Sequence, residues 1–526
     1  MKQFIFLLVS FAFFIACFKR VKKFQDILEA KLVKRIVIGL VGVYFIFFLV
    51  FGYLLHAEDD DRVVWQNIDS VAHFIQARIF AAGHLSVPSH PLKEFFSTRY
   101  CINDGKYYSK YFPGWPLILS IGIFLGAAWV VNPLLGFLTI VLIYLIGKKL
   151  YDKNTGLFAA LLFLTSSYFY KYVPTYFSDP ASLFFSTLFF YFMVRIFSES
   201  KVTTSVAAGL SLGISFLIRP FSAIAISLPV MGYLFVSSFI YKERPRVYFI
   251  TILLSLLPAV IGLFLYDYLQ TGSMFVTPFQ HYNPFDKLGF GLRSSDIDIE
   301  PHPFTFIHGL KNLLVNLAVL NVNSVFLLFL FFILILINKP GKWDFILFCT
   351  VFVVILFHFF YFFIQTRYYY VAFFAFFLLA ARGINLIDAA LGKYFPYMRI
   401  NNLKHFVLLF IMVINVFIII SPEKVISDYK HSKELRDPFD IVKRENLKNS
   451  VVILRSLQVG SGSNGGRYIQ NPLRYDGDVL FARDLKERNI ELMYYYRGKE
   501  FYYYDYDSKL RMGKLTKIAN FPGAKQ

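Results

Sequence analysis

Four ionisable residues stand out by their type and by where the charge pattern puts them. They are Asp69 in Gln66-Asn67-Ile68-Asp69-Ser70, Asp179 in Tyr176-Phe177-Ser178-Asp179-Pro180, His281 in Phe279-Gln280-His281-Tyr282, and Arg367 in Arg367-Tyr368-Tyr369-Tyr370. Each lies outside or at the end of a long apolar segment, and the alternation of basic loops places all four on one face of a membrane. Ionisable groups at a lipid interface are expensive unless they handle a polar substrate. Two carboxylates on one face can orient a hydroxyl and take its proton. An Arg there can hold a phosphate through paired hydrogen bonds, or merely snorkel to the headgroups.

Two further segments belong with these four. Lys106-Tyr107-Tyr108-Ser109-Lys110-Tyr111-Phe112-Pro113-Gly114-Trp115-Pro116 is basic, aromatic and stiffened by proline. Cations beside aromatics suit a phosphate on a lipid tail, although the same composition anchors proteins at interfaces. The piece from Phe279 to Gly291 carries hydrogen-bonding groups suited to sugar or phosphate. His281 has no second ligand at metal spacing, so it is not read as a metal site. Glu58, Asp59, Asp60 and Asp61 are adjacent carboxylates that can bind a divalent cation, but a solvated acidic run is the commoner reading. A divalent metal is therefore allowed and not indicated. No Gly-rich phosphate loop is visible, which argues against a primary ATP-driven transporter.

The elements that must position these residues are helices in a bilayer. Of 526 residues, 57% are hydrophobic and 20% aromatic, in repeated apolar runs that match the hydrocarbon thickness. The net charge of +20 sits mostly in short connectors, as the positive-inside bias predicts. Anionic membrane lipid is its natural partner, and no recognition motif for nucleic acid appears. Three cysteines, Cys17 and Cys349 in apolar runs and Cys101 in a polar loop, cannot build a disulfide framework.

Spans are expected at about 3–18, 36–55, 132–149, 155–172, 181–197, 204–219, 221–239, 248–267, 321–338, 345–364, 370–386 and 404–421. The first is read as a membrane helix in preference to a removed signal peptide. The apolar stretch 115–130 must not cross, because a crossing would invert every later basic loop; it reads as re-entrant or interfacial. Residues 1–35 are then an N-terminal helix with a basic cytoplasmic loop, 36–421 the membrane domain, and 422–526 a soluble tail. The segments 56–131, 268–320 and 422–526 face outward. Ala72, Ile75, Ile79 and Ala82 recur at helical spacing, so an amphipathic interfacial helix is expected from Asp69 to about Gly83. Asp69 would begin that helix, where an Asp also serves as an N-cap. In the tail, Ser450-Val451-Val452-Ile453-Leu454 and Phe501-Tyr502-Tyr503-Tyr504 read as strands. The expected fold is thus all-α and polytopic, about twelve spans, with a small α/β extracytoplasmic domain.

Taken together, these pieces resemble the GT-C class of integral-membrane glycosyltransferases, in the protein O-mannosyltransferase and aminoarabinose-transferase branch. The resemblance rests on Asp69 before Gly83, on Lys110-Tyr111-Phe112-Pro113-Gly114-Trp115-Pro116, on Asn132-Pro133, and on Ser178-Asp179-Pro180. Ile218-Arg219-Pro220 and Arg367-Tyr368 match as well, and Phe481-Ala482-Arg483-Asp484 resembles an element of a bacterial subgroup. It implies a polyprenyl-phosphate sugar as donor and a lipid, glycan or protein as acceptor, in a bacterial inner or plasma membrane with the active site outside. It further implies Asp69 as general base with inversion, Asp179 positioning Asp69 or the acceptor, and Lys110 and Arg367 stabilising the departing phosphate. Tyr111, His281 and Tyr368 are expected to contact substrate. The family often pairs its Asp with Glu, whereas Ser70 follows here. The alternative is a non-enzymatic carrier or flippase for lipid-linked sugar, which would place polar residues near mid-bilayer in repeated halves.

Overall fold

The computed structural model describes residues 68–199, 201–297, 299–394, 403–415, 436–455, 471–507, 510 and 512–518. The expected spans 3–18 and 36–55, the basic residues around 19–35 and the acidic run 58–61 lie outside the described residues. Everything described belongs to one compact unit, Gly52–Gln526.

Helix α1 (Ile68–Ala81) ends where Gly83 takes a left-handed backbone (φ 78°), as its sequence predicts. Strands β1 (Val87–Pro88), β2 (Cys101–Asp104) and β3 (Lys106–Ser109) follow as an antiparallel sheet of order β1-β3-β2. Helix α2 (Gly114–Phe124) has 11 residues and is therefore only about 16 Å long. That is too short to cross a bilayer, in line with leaving 115–130 out of the spans.

The bundle then runs α3 (Val131–Leu150), α4 (Lys153–Leu164), α5 (Ser167–Tyr172), α6 (Asp179–Glu199), α7 (Val202–Ile218), α8 (Pro220–Phe235) and α9 (Arg246–Thr271). A loop region holds α10 (Pro278–Tyr282), β4 (Gly291–Arg293) and β5 (His302–Phe304). It leads to α11 (Phe306–Asn323), α12 (Leu328–Ile337), α13 (Lys342–Phe359), a 3₁₀ turn at Thr366–Ala372, α14 (Phe373–Tyr394) and α15 (Leu403–Ile414).

Among the described residues six helices are long and apolar enough to cross, Ala128–Leu150, Asp179–Glu199, Pro220–Ile240, Arg246–Thr271, Lys342–Phe359 and Thr366–Lys393, or seven with the bent pair α11–α12. Among the described residues, two of the expected spans, 155–172 and 321–338, are broken, and the count of twelve spans extends to residues outside those described. Residues 155–172 break between α4 and α5 because Ser166 caps a new helix, its side chain accepting from the Phe169 amide. The run 321–338 bends by 92°, with Leu327 in the left-handed region (φ 63°). Apolar composition continues through both breaks, which is why run length misses them.

Side-chain contacts sort the helix ends into two groups. Lys149 at the end of α3 pairs with Glu199 at the end of α6 at 2.8 Å, and Arg244 donates to the Phe197 carbonyl at 2.5 Å. Tyr151 donates to Asp344 at 2.5 Å, and the Arg382 guanidinium lies 5.1 Å from the Tyr151 ring. The basic connectors thus gather at one end of the bundle. Asp179, Arg219 and Arg367 sit at the other ends of their helices.

The tail forms a four-stranded sheet, β7-β6-β8-β9, from β6 (Ser450–Leu454), β7 (Val479–Arg483), β8 (Glu500–Asp507) and β9 (Met512–Lys517), with α16 (Asn489–Tyr495) beside it. Central β6 pairs in parallel with β7 and β8, and every residue of it is buried. Phe95 and Phe96, from the loop between β1 and β2, complete one side of its core. The other side shares a core with α1: Val71, Phe74 and Ile75 cluster with Phe439, Val452 and Phe481. Helix α1 is consequently enclosed on all sides, with Ser70 to Ala77 fully buried, and not half-wet as its amphipathic spacing suggests. In Phe481-Ala482-Arg483-Asp484, Asp484 accepts from the Lys486 amide and the Asn489 side chain, a local cap.

Gly114 marks the closest approach in this arrangement. A Cβ there would come within 2.5 Å of the Leu217 backbone carbon, so only glycine lets α2 press on the end of α7. We expect Gly114→Ala to cost about 1–3 kcal/mol as overpacking. A lowered melting temperature of the detergent-purified variant, by fluorescence-detected size exclusion, is the check.

Candidate active site

The site assembles around Asp69 in the first turn of α1. Gln76, buried within the same helix, fixes what lies opposite: its amide nitrogen donates to the Leu85 carbonyl (2.9 Å) and its oxygen accepts from the Ser109 amide (2.9 Å). That clamp holds the end of β3 against α1. Two residues further on, the Tyr111 hydroxyl donates to Asp69 Oδ1. The Tyr111 ring packs on His73, one turn along α1, at 4.1 Å.

Arg367 arrives from the 3₁₀ turn before α14. Its Nη1 stands 3.4 Å from Asp69 Oδ2, and its guanidinium lies over the Phe177 ring at 4.5 Å. The side chains are little exposed, 9% for Arg367 and 17% for Asp69. Burial alone would raise the Asp69 carboxyl, but Arg367 and Tyr111, with His73 and Lys110 beyond, outweigh it and hold it at about 2. Burial and the nearby Arg219 and Arg367 charges keep the His73 imidazole neutral, at about 3, against the pull of Asp69.

Asp179 opens α6, fully buried, and is paired with Arg219 Nη2 at 2.9 Å; Arg219 Nε donates to Ser178 Oγ at 3.1 Å. Two side chains steer the loop that delivers it. Trp115 Nε1 donates to the Tyr176 carbonyl (2.8 Å) and Asn132 Nδ2 to that of Phe177 (2.9 Å). The Trp115 and Asn132 positions singled out in the sequence thus act through backbone carbonyls three and two residues before Asp179.

Lys110 lies beside the Tyr100 ring (3.9 Å) and 3.7 Å from Asp286 Oδ2. Tyr361 donates to Asp286 Oδ1 at 2.6 Å, and its ring meets Tyr368 edge-on at 5.1 Å. Tyr368 also stacks on His358 at 5.6 Å, so it backs Arg367. On the far side Arg99 pairs with Asp296, which accepts from the Tyr282 hydroxyl at 3.1 Å.

Of the residues expected to act, Asp69, Lys110, Tyr111, Asp179, Arg367 and Tyr368 gather in this one region. His281 does not: it is exposed on α10, near Asp104, while its neighbours Tyr282 and Asn283 turn inward. One position of helical phase separates it from the buried face. Cys101 is also unlike its polar-loop expectation, being buried in β2 with its thiol pushed up to about 12 by burial. The sequence reading missed Gln76, His73, Arg219, Asp286 and Tyr361 as site residues. Arg219 carried a signal, a cation before Pro220 between two apolar runs; Asp286 carried none beyond its loop. Among the described residues no cluster of three His, Cys, Asp or Glu is placed to hold a metal ion.

Buried atoms without a partner among the described residues include His73 Nδ1, Asp179 Oδ1 and Arg367 Nε. Buried polar groups are nearly always satisfied, so these are positions for groups that a ligand or water supplies.

Residues 113–262 match the family described as dolichyl-phosphate-mannose-protein mannosyltransferase. The fold is that of ArnT from Cupriavidus metallidurans: the form bound to undecaprenyl phosphate aligns with a TM-score of 0.56 and the apo form with 0.57. Each is 10% identical and covers 93% of this chain and 99% of that one. No curated protein matches in sequence. The chain is thus an integral-membrane protein of the GT-C fold, similar to the mannosyltransferase family over that segment and to ArnT over nearly its whole length.

Breaking one partner of a buried pair leaves an uncompensated charge. We expect Arg219→Met to destabilise the protein by about 3–5 kcal/mol, and the double change Arg219→Met with Asp179→Leu to recover much of it. Melting temperatures of the three proteins check this.

Proposed function

We propose that the chain is a membrane glycosyltransferase that moves a monosaccharide, a hexose or pentose, from a polyprenyl-phosphate donor to an acceptor hydroxyl outside the cytoplasm. The observation that supports it best is the Asp69–Arg367 pair with Tyr111, set beside Lys110 at the end of the bundle away from the basic connectors. The matched family's description and the ArnT structure both involve a polyprenyl phosphate, dolichyl in one and undecaprenyl in the other. Residues 36–421 act as the catalytic membrane domain. The tail, 422–526, is assigned to the outer side, a reading supported by the core that its described strands share with the helix carrying Asp69.

In the resting site Asp69 is a poor base, since Arg367 and Tyr111 stabilise its charge. A donor phosphate drawn to Arg367 shares that cation and relaxes its hold on the carboxylate. Asp69 then accepts the acceptor's proton as the hydroxyl oxygen attacks the anomeric carbon from the face opposite the phosphate. The carbon–oxygen bond to phosphate breaks, its electron pair leaves with the lipid phosphate, and the configuration inverts. Arg367 and Lys110 stabilise the charge that develops on that leaving group. Asp179, held by Arg219, keeps a free oxygen for a hydroxyl of sugar or acceptor.

We expect Asp69→Asn to lower turnover by about 10²–10⁴, the usual worth of a general base, with undecaprenyl phosphate bound no more weakly than by wild type. Single-turnover kinetics and lipid binding by tryptophan fluorescence measure the two. Turnover at the wild-type rate would remove Asp69 from the mechanism. For sidedness, Cys101 is expected to resist maleimide in the native protein on either side. A cysteine placed by Asp104→Cys, at a side chain 86% exposed, should react with impermeant maleimide in intact cells. Reaction only after lysis would put the site inside.

A further inference from the structure

Lys110 is the most enclosed cation of the site. Its side chain is 3% exposed, and Nζ lies over the rings of Tyr100 (3.9 Å), Phe279 (4.3 Å) and Tyr282 (5.0 Å). Aromatic faces attract a cation but neutralise none of its charge. The carboxylate in ion-pair range, among the described residues, is Asp286, itself 5% exposed and with Oδ2 3.7 Å from Nζ. That is well beyond the roughly 2.8 Å of a charge-assisted hydrogen bond, so the two attract without being locked.

Asp286 is brought there deliberately by its loop. Its amide bonds to the Asn283 carbonyl, Asn283 Nδ2 donates to the Ser294 carbonyl, and the Gly289 amide bonds to the Phe360 carbonyl. Its second oxygen takes the Tyr361 hydroxyl at 2.6 Å. Tyr361 in turn touches Tyr368, the residue after Arg367. The acid is therefore bonded to Tyr361, whose ring meets the residue after Arg367, and is merely near Lys110.

We propose that Asp286 is a stand-in for the donor's phosphate: it neutralises Lys110 while the site is empty, and the incoming phosphate must displace it. The inference rests on the donor reading above and adds the residue that sets donor affinity. A buried ammonium left alone is costly, and two anions crowded on one ammonium repel each other. Net affinity is then the difference between the phosphate's attraction to Lys110 and that of Asp286. Removing the Asp286 charge should raise affinity, which is the reverse of what loss of an ordinary binding or structural residue does.

The test uses the full-length protein in nanodiscs, with undecaprenyl phosphate, undecaprenol lacking the phosphate, and inorganic phosphate as probes. Asp286→Asn keeps an acceptor for Tyr361 and removes the charge. We expect it to bind undecaprenyl phosphate roughly tenfold tighter, mid-range for a pairwise coupling. Its ligand-free melting temperature should fall, and lipid phosphate should raise it by more than in wild type. Lys110→Met should abolish the gain when combined with Asp286→Asn. Tyr361→Phe loosens the acid without changing charge, and a smaller gain of the same sign is expected should Asp286→Asn fold poorly.

Tighter inorganic phosphate in the same variants would support the proposal through the headgroup alone. Undecaprenol gaining as much as its phosphate would overturn it, because the effect would not be that of an anion. Equal or weaker undecaprenyl phosphate binding by Asp286→Asn and Tyr361→Phe would also overturn it, and leave the donor reading standing. Failure of wild type to bind undecaprenyl phosphate at all would sink the donor reading itself.

Discussion

Ionised groups in a place with little water must come in opposite pairs, and the structure is organised around meeting that demand. Asp69 faces Arg367, Asp179 faces Arg219, Asp286 faces Lys110 and Asp296 faces Arg99. Every pair joins segments that are distant in sequence, 298 residues apart for the first. None of them forms unless the helix ends are brought to one place. Such pairs are poor investments for stability alone, since apolar side chains of like volume often do better. Here they hold cations and carboxylates together at one end of the bundle, with the longer separations at Asp69–Arg367 and Asp286–Lys110.

Uncharged anchors do the placing. Gln76 clamps β3 to α1 and so sets Tyr111 against Asp69. Trp115 and Asn132 hold the carbonyls of Tyr176 and Phe177, which aims Asp179 toward Arg219 and puts the Phe177 ring under Arg367. Gly114 admits the close contact that lets α2 do this. The tail sheet closes the remaining side of α1, whose Val71, Phe74 and Ile75 share one core with Phe439, Val452 and Phe481. A single displaced anchor would move a charge away from its partner, which is why neutral residues matter as much as ionised ones.

Local rules served well where one signal acted alone. The helix from Asp69 to Gly83 and strands β6 and β8 followed from spacing and composition, because capping and β-branched or aromatic runs are decided locally. The breaks at Ser166 and Leu327 did not, since both lie in apolar stretches whose composition never changes. In the site, Asp69, Lys110, Asp179 and Arg367 were legible as charges stranded at a lipid interface. Of their partners, Arg219 was marked only by its place before Pro220 and Asp286 by nothing beyond its loop, because pairing is settled by tertiary approach. His281 shows the converse: a chemically attractive residue faces outward because helix α10 turns Tyr282 inward in its place.

The central claim is that these paired charges move a sugar from a lipid phosphate to an acceptor. The most direct measurement is release of polyprenyl phosphate from a panel of polyprenyl-phosphate monosaccharides by the purified protein, with and without cell-envelope acceptor. The account predicts release from one donor that requires the acceptor and yields labelled glycoside in equal amount. Tight lipid binding with no release from any donor would contradict it and leave a carrier of lipid-linked sugar in its place.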